Sequence, residues 1–449
     1  MKIVLLLVNI ILLLTSPLPA KAGAAPRLTT TSTASFDPAA ATRAWLDSVP
    51  AEKRARSDAY FEGGYWLILW NFLLTVAISL LLLASRFSAR MRDLAERMTR
   101  FKSFQVALYA VGFVFVFGLL SFPLGVYEGF FREHAYGLAT QSFAPWFREQ
   151  LIALVIQMIA AALGLMVFYA VFRRAPRSWW LWGTAAGIIF TALSTMITPV
   201  FIAPLFNTYK PLADPKISQP ILAMASANEI PVHEVYEVDA SRQSNRVSAN
   251  VSGLFGTTRI ALNDNLLKQC TLPEIRMVMA HEMGHYVLNH GFKLLLYFGV
   301  FIFVAFALAR LVFERALRRW GTRWEVRGLA DPAGFPLLVL IFSVFFFLIT
   351  PLTNTAVRVT EREADAFGIN TAREADGFAK VSLKLGSYRK LDPGPVEEFI
   401  FFDHPSGRAR IRMAMDWKAA NLPAGDAGMP SEILSKERGK APPPPSRIR

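Results

Sequence analysis

Cysteine is almost missing: Cys270 is the only one in 449 residues. That excludes an intramolecular disulfide framework and any cysteine-rich metal cluster, and leaves the lone thiol to packing. Charge is thin as well. Asp, Glu, Lys and Arg make up 18% of the chain against 53% aliphatic and aromatic residues, and the mean hydropathy is +0.34, too apolar for a soluble protein with a polar surface. Negative charge is the scarcer sign, 34 acidic residues to 48 basic ones, for a formal net charge of +14. The excess arginine clusters beside apolar runs, as it does in cytoplasmic loops, so the basic balance points to membrane topology and not to nucleic acid. The apolar runs carry their charges at the ends and not in the middle, and no internal repeat is visible. A transporter's mid-membrane ion site has nothing to be built from.

Histidine is also scarce, six in all, yet two of the six fall in the run HEMGH, His281 to His285. On an α-helix, residues four apart are displaced by about 6 Å along the axis and only about 40° around it. Both imidazoles therefore point at one spot. Two neutral imidazoles supply half of a four-coordinate zinc site, one ion per chain, and Glu282 between them can reach a water held there. The competing reading is a satisfied pair of helix-surface histidines. The flanks predict the helix itself: Thr271 and Glu274 have capping-box spacing, Pro273 suits a first turn, and Gly291 is the expected stop.

In chain order, residues 1–22 read as a secretory signal peptide or an uncleaved first span, with Lys2 ahead of an apolar run and a small-residue end at Ala22. Residues 23–63 read as an extracytoplasmic linker, rich in Ala, Thr, Ser and Pro up to Ala41, followed by a short helix. Four membrane spans are expected within 64–204, near 65–85, 104–126, 151–172 and 179–201, and two within 291–353, near 294–313 and 335–353. Between them, 205–290 turns soluble in character: a helix over 217–228, strands near 234–239, 246–252 and 257–263, a turn at 253–256, then the HEMGH helix. An edge strand of this small sheet can take an extended peptide by strand addition. Residues 354–429 form a C-terminal catalytic helical segment and 430–449 a disordered tail. The expected class is a mainly α, multi-spanning membrane protein with a small zincin-type α+β catalytic domain.

Loop charge sets the orientation. The 86–102 loop carries six Lys and Arg residues, 173–177 carries three and 315–327 five, whereas 127–150 holds only Arg132 and Arg148. The positive-inside rule then puts 127–150, HEMGH and the C-terminal segment outside the cytoplasm.

A third ligand has to come from elsewhere, because His290 lies roughly 140° or more around the helix from either histidine. After the last span, Glu361 and Asp365 in the run EREAD share one helix face at i, i+4. Glu361 as third zinc ligand leaves one position open for water, and Asp365 can orient His281 or join in proton transfer. His404, in a turn before Pro405, is placed to donate to a developing oxyanion, and Arg410 to anchor a carboxylate. Taken alone, EREAD is a solvated charged face and His404 a structural histidine.

Over residues 57–416 these runs together resemble the type I CAAX prenyl endopeptidases, integral-membrane zinc proteases of the gluzincin group. The resemblance rests on PLFN at 204–207, GLFGTTRIALND at 253–264, HEMGH, EREAD at 361–365, and His404-Pro405 with Arg410-Ile411. It implies zinc on His281, His285 and Glu361, and Glu282 as general base. It further implies Asp365 as proton donor or partner of a ligand, and His404 and Arg410 in contact with substrate. The implied fold is a ring of membrane helices around a water-filled chamber. Where the family usually has an Asn-Ala pair in its substrate-pairing strand, this chain has Ser248-Ala249 followed by Asn250. Eukaryotic members face the cytosol with their sites, whereas the loop charges here predict an extracytoplasmic site in a multi-pass protein of bacterial inner-membrane type. The expected partners are polypeptide substrates, lipidated or membrane-associated, and membrane lipids. A quality-control protease of the heat-shock type and a catalytically dead scaffold are the alternatives; Glu282, which a dead homologue can lose, is present.

Overall fold

The computed structural model describes residues 36–253 and 258–422. The signal-like segment 1–22, the tail from 430 and most of the expected 253–256 turn lie outside the described residues. A short helix follows the linker stretch as expected but starts earlier, before Ala41: Asp37 accepts the Ala39 N–H and Pro38 opens helix α1 (Pro38–Asp47). Its Leu46 is buried among residues of the chain's C-terminal helices, so tertiary packing outweighs the loop-like composition.

The membrane region follows as α2 (Ala51–Ala84), the short α3 (Phe87–Met98), α4 (Lys102–Val126, prolonged by a π-helical turn at Tyr127–Arg132), α5 (Phe143–Arg174) and α6 (Trp179–Ile197). A four-stranded sheet comes next, interleaved with helices: β1 (Tyr209–Pro211), α7 (Pro215–Ala227), β2 (Val235–Val238), β3 (Ala249–Ser252) and β4 (Arg259–Asn263). Then come α8 (Asp264–Gln269), α9 (Leu272–Val287), α10 (His290–Trp324), α11 (Phe335–Leu348), α12 (Thr350–Ala372), α13 (Ala375–Leu385), α14 (Pro395–Phe401) and α15 (Gly407–Asn421).

Among the described residues, five helices are long and apolar enough to cross a membrane. The sixth expected span is broken: α11 bends by 60° into α12. Pro351 explains the break, since it has no N–H for the Phe347 carbonyl and its ring crowds the preceding turn.

Neighbours α2, α4, α5, α6, α10 and α11 pack in sequence, and α11 returns to α2. A solid bundle would bury one stripe of each helix, yet the most apolar stretch is 6% buried in α5 and 0% in α6. The wall is thus one helix thick, with lipid outside and a chamber within. At the arginine-rich end the ring is plugged by Phe172, Trp179, Phe306 and Phe313. At the other end sits the sheet, ordered β1-β2-β4-β3, with β2 and β4 parallel and the outer pairs antiparallel. β1 was not expected; three residues carry too little pattern to read. Ile221, Ile260, Leu262, Ile275 and Met279 form the core between the sheet, α7 and α9.

Candidate active site

Helix α9 is fixed at its start by chemistry that its sequence announces. The Glu274 carboxylate accepts from the Thr271 N–H at 2.6 Å and from the Thr271 hydroxyl at 2.7 Å, and it pairs with Lys384 at 2.7 Å. Burial works against that charge, but these partners hold the Glu274 carboxyl below its usual range. The helix ends earlier than Gly291: Asn289 takes φ 53°, a left-handed conformation that breaks the ladder, and Gly291 falls inside α10.

Two glycines let α9 and α12 approach closely. A methyl on Gly284 would lie 3.2 Å from Ala364 Cα, and one on Gly368 would lie 3.0 Å from the His281 backbone nitrogen. This contact brings HEMGH to EREAD. His281 Nε2 and His285 Nε2 are 3.1 Å apart, Glu361 Oε2 is 3.4 Å from the former, and Glu361 Oε1 is 3.4 Å from the latter. These separations match the edges of a tetrahedron with ligand bonds of about 2.0–2.1 Å, which are about 3.3–3.4 Å long. The charge fits too. Although burial disfavours an imidazolium, the facing Asp365 and Glu361 carboxylates hold the His281 pKa up at about 10. The Glu361 carboxylate sets negative charge against both Nε2 atoms, which a dication between them would answer. The donor set and its spacing therefore fit a metal ion.

The surroundings orient these ligands. Asp365 Oδ1 is 2.9 Å from His281 Nδ1, opposite the nitrogen that faces Glu361. Arg410 donates from Nε to Asp365 Oδ2 at 2.8 Å and from Nη2 to Glu361 Oε2 at 3.0 Å. The carboxylates that Arg410 anchors are thus within the chain, and at 6% exposure the residue is buried beside them. His404 Nε2 lies 3.4 Å from Glu361 Oε2, and its Nδ1 is 2.7 Å from Asp403 Oδ1. Glu282 joins these residues around a cavity of ≈ 250 Å³, and burial pushes its carboxyl above the ordinary range.

Of the expected strand residues, Ser248 and Ala249 line this cavity while Asn250 does not. Successive strand side chains point to opposite faces, and Asn250 is exposed, accepting from Ser252 Oγ at 3.1 Å. β3 itself is the edge of the sheet. His290 lies outside the ligand set, but not for the expected reason: α9 ends before it, and the left-handed Asn289 turns it back, so that its Nδ1 is 2.9 Å from His285 Nδ1 and its Nε2 is 3.0 Å from Glu363 Oε2, an oxygen Lys293 holds at 2.7 Å. Tyr388 and Arg389 also line the cavity. Neither was singled out from the sequence, where S-Y-R-K carries no spacing or motif.

Comparison with known proteins places this geometry in context. The profile described as "Peptidase family M48" matches residues 211–418, and "CAAX prenyl protease N-terminal, five membrane helices" matches residues 39–208. A Bacillus subtilis protein named uncharacterized metalloprotease YhfN is 31% identical over 356 residues, 77% of this chain and 82% of that one. CAAX prenyl protease 1 of Saccharomyces cerevisiae is 25% identical over 315 residues, 67% of this chain and 69% of its own length. The crystal structure of S. mikatae Ste24p superposes with a TM-score of 0.68 at 19% identity, covering 84% of this chain and 94% of that one.

Proposed function

Because the chain belongs to peptidase family M48 and is a membrane metalloendopeptidase, we propose that it cuts peptide bonds with zinc held by His281, His285 and Glu361 and with Glu282 as general base. The near-equal spacing of the three ligand groups, with Glu282 in the same cavity wall, carries this reading. Zinc bound there supplies Lewis-acid polarisation of the attacking water and of the scissile carbonyl.

The chain's own side chains do the rest. Glu282 takes the water's proton and returns it to the leaving nitrogen; burial makes its carboxyl a stronger base than an exposed glutamate, which suits both steps. Asp365, in contact with His281 Nδ1, keeps the other ring nitrogen free to ligate. His404, steadied through Nδ1 by Asp403, donates to the developing oxyanion from the cavity side. An extended substrate adds to the free edge of β3 past Ser248 and Ala249.

The substrates are membrane-associated or exported polypeptides, because the loop charges support an extracytoplasmic site. The three basic loops meet at the end of the ring opposite HEMGH: the Arg86–Glu325 and Arg327–Glu96 pairs join two of them, and Arg173 of the third lines a cavity with Arg92 and Arg327. The 127–150 segment, with only two basic residues, meets the catalytic end, where Glu149 pairs with Arg242 and Glu133 with Arg246. In a Cys270→Ser background, Glu52→Cys at the catalytic end should react with a membrane-impermeant maleimide in intact cells, and Arg177→Cys only after lysis. The opposite labelling pattern would put the site in the cytosol.

A further inference from the structure

We propose that Arg389 and Ser382 form a substrate subsite that takes a carboxylate close to the scissile bond, an assignment that rests on the zinc-peptidase reading above. Both residues line the cavity that holds the metal-ligand cluster, and both line a smaller cavity adjoining it, whose walls include Phe61, Leu391 and Phe402.

Buried polar atoms are normally satisfied within the fold. Here two are not. Arg389 Nη1 and Ser382 Oγ are buried without a hydrogen-bond partner among the described residues, and Ser382 as a whole is 3% exposed. The charge is unanswered as well. Two guanidiniums line both cavities: Arg410 is bonded to Asp365 and Glu361, whereas Arg389 has no carboxylate of the described residues within 4.0 Å. Asp403, an acid in the wall of the smaller cavity, is engaged by His404 Nδ1 at 2.7 Å. Burial and the neighbouring Arg410 charge push the Arg389 guanidinium below an arginine's usual pKa range. A desolvated cation without a counter-ion is costly, and an incoming anion relieves that cost.

The loop that carries Arg389, between α13 and α14, is pinned. Ser57 Oγ donates to the Gly386 carbonyl and lies 3.0 Å from that of Arg389. Lys390 pairs with Glu62 at 2.6 Å and with Glu397 at 2.9 Å. The guanidinium is therefore in position before a substrate arrives, so little ordering is needed on binding.

The occupant's chemistry follows from the substrate class. Near neutral pH an unmodified polypeptide carries its negative charge on carboxylates, either Asp and Glu side chains or the C-terminus. Arginine's planar fork matches the two carboxylate oxygens, and the Ser382 hydroxyl adds a donor. A peptide carbonyl would satisfy the hydrogen bonds but leave the charge unbalanced. Because Arg389 shares a cavity with the metal ligands, the carboxylate it takes belongs to a residue near the cut.

The test uses the full-length protein, purified in detergent and loaded with zinc, and random decapeptides made in two pools, one with free C-termini and one amidated. Cut sites and initial rates are read by mass spectrometry. Peptides with a carboxylate at one fixed distance from the cut should be cleaved roughly 10–100-fold faster than those without, the worth of hydrogen bonds to a charged group. If the C-terminus is that carboxylate, only the free-acid pool shows the preference; if it is a side chain, both pools do. Arg389→Gln should bring the preference to about one, Ser382→Ala should lower it about fivefold, and Arg389→Lys should keep part of it. Metal content should be unchanged in all three. A merely structural role would slow every peptide alike. Peptides retained by the Glu282→Gln protein report the same preference as binding, without turnover. Zinc-loaded protein that cuts neither pool, yet retains carboxylate-bearing peptides through Arg389, would refute the peptidase reading and uphold the subsite. Cleavage with no carboxylate preference, or with a preference that survives Arg389→Gln, would overturn the subsite and uphold the peptidase.

Discussion

Glu282→Gln should lower the turnover of a cleavable peptide by on the order of 10²–10⁴-fold, the contribution of a positioned general base. The metal content should stay at one ion per chain. The amide keeps the shape of the carboxylate but cannot take the water's proton, and Glu282 belongs to the cavity wall without belonging to the three-residue ligand cluster. Peptide cleavage and metal content measured on the same sample check this. A variant with full metal and undiminished cleavage would remove Glu282 from the mechanism.

Glu361→Ala should abolish both metal binding and activity, because it removes one of three ligands whose atoms lie within 3.4 Å of their neighbours. It also leaves the Arg410 guanidinium with Asp365 as its one remaining carboxylate partner. Glu363→Ala makes the control. Two residues along the same helix, its carboxylate reaches His290 and Lys293 and not the ligand pocket. That variant should still bind metal stoichiometrically, with affinity reduced by about tenfold through the loosened His290–His285 contact. Metal titration of both proteins decides the matter. Loss of metal from the Glu363 variant alone would mean that the ligand has been assigned to the wrong residue of EREAD.

What was legible in the sequence is what local periodicity records. HEMGH and the Glu361/Asp365 pair depend on i, i+4 geometry, the capping box on a three-residue spacing, and the spans on length and hydropathy; each needs only a few neighbouring residues to be read. Contacts made across the fold left no such trace. Arg410 joins Glu361 and Asp365 over separations of 49 and 45 residues, and nothing near Arg410 says that its carboxylates are those. The helix angle that kept His290 out of the expected ligand set presumed one continuous helix; the chain instead breaks at the left-handed Asn289, which brings His290 against His285, a backbone choice that composition does not dictate. A short helix was expected after Ala41, but its start at Pro38 was hidden by a linker-like composition; the helix is held by packing against the C-terminal helices. The break between α11 and α12 was signalled by Pro351, but the uninterrupted apolar run outweighed it.

The central claim is that His281, His285 and Glu361 hold one zinc ion in a working peptidase. X-ray absorption at the zinc edge of the purified, active full-length protein tests this most directly. The spectrum should show one zinc per chain with two imidazole nitrogens at about 2.0–2.1 Å and light oxygen scatterers at about 2.0–2.2 Å, and Glu361→Ala carried through the same preparation should hold no stoichiometric zinc. Active protein without stoichiometric zinc, or a zinc shell with fewer than two imidazoles, would contradict it.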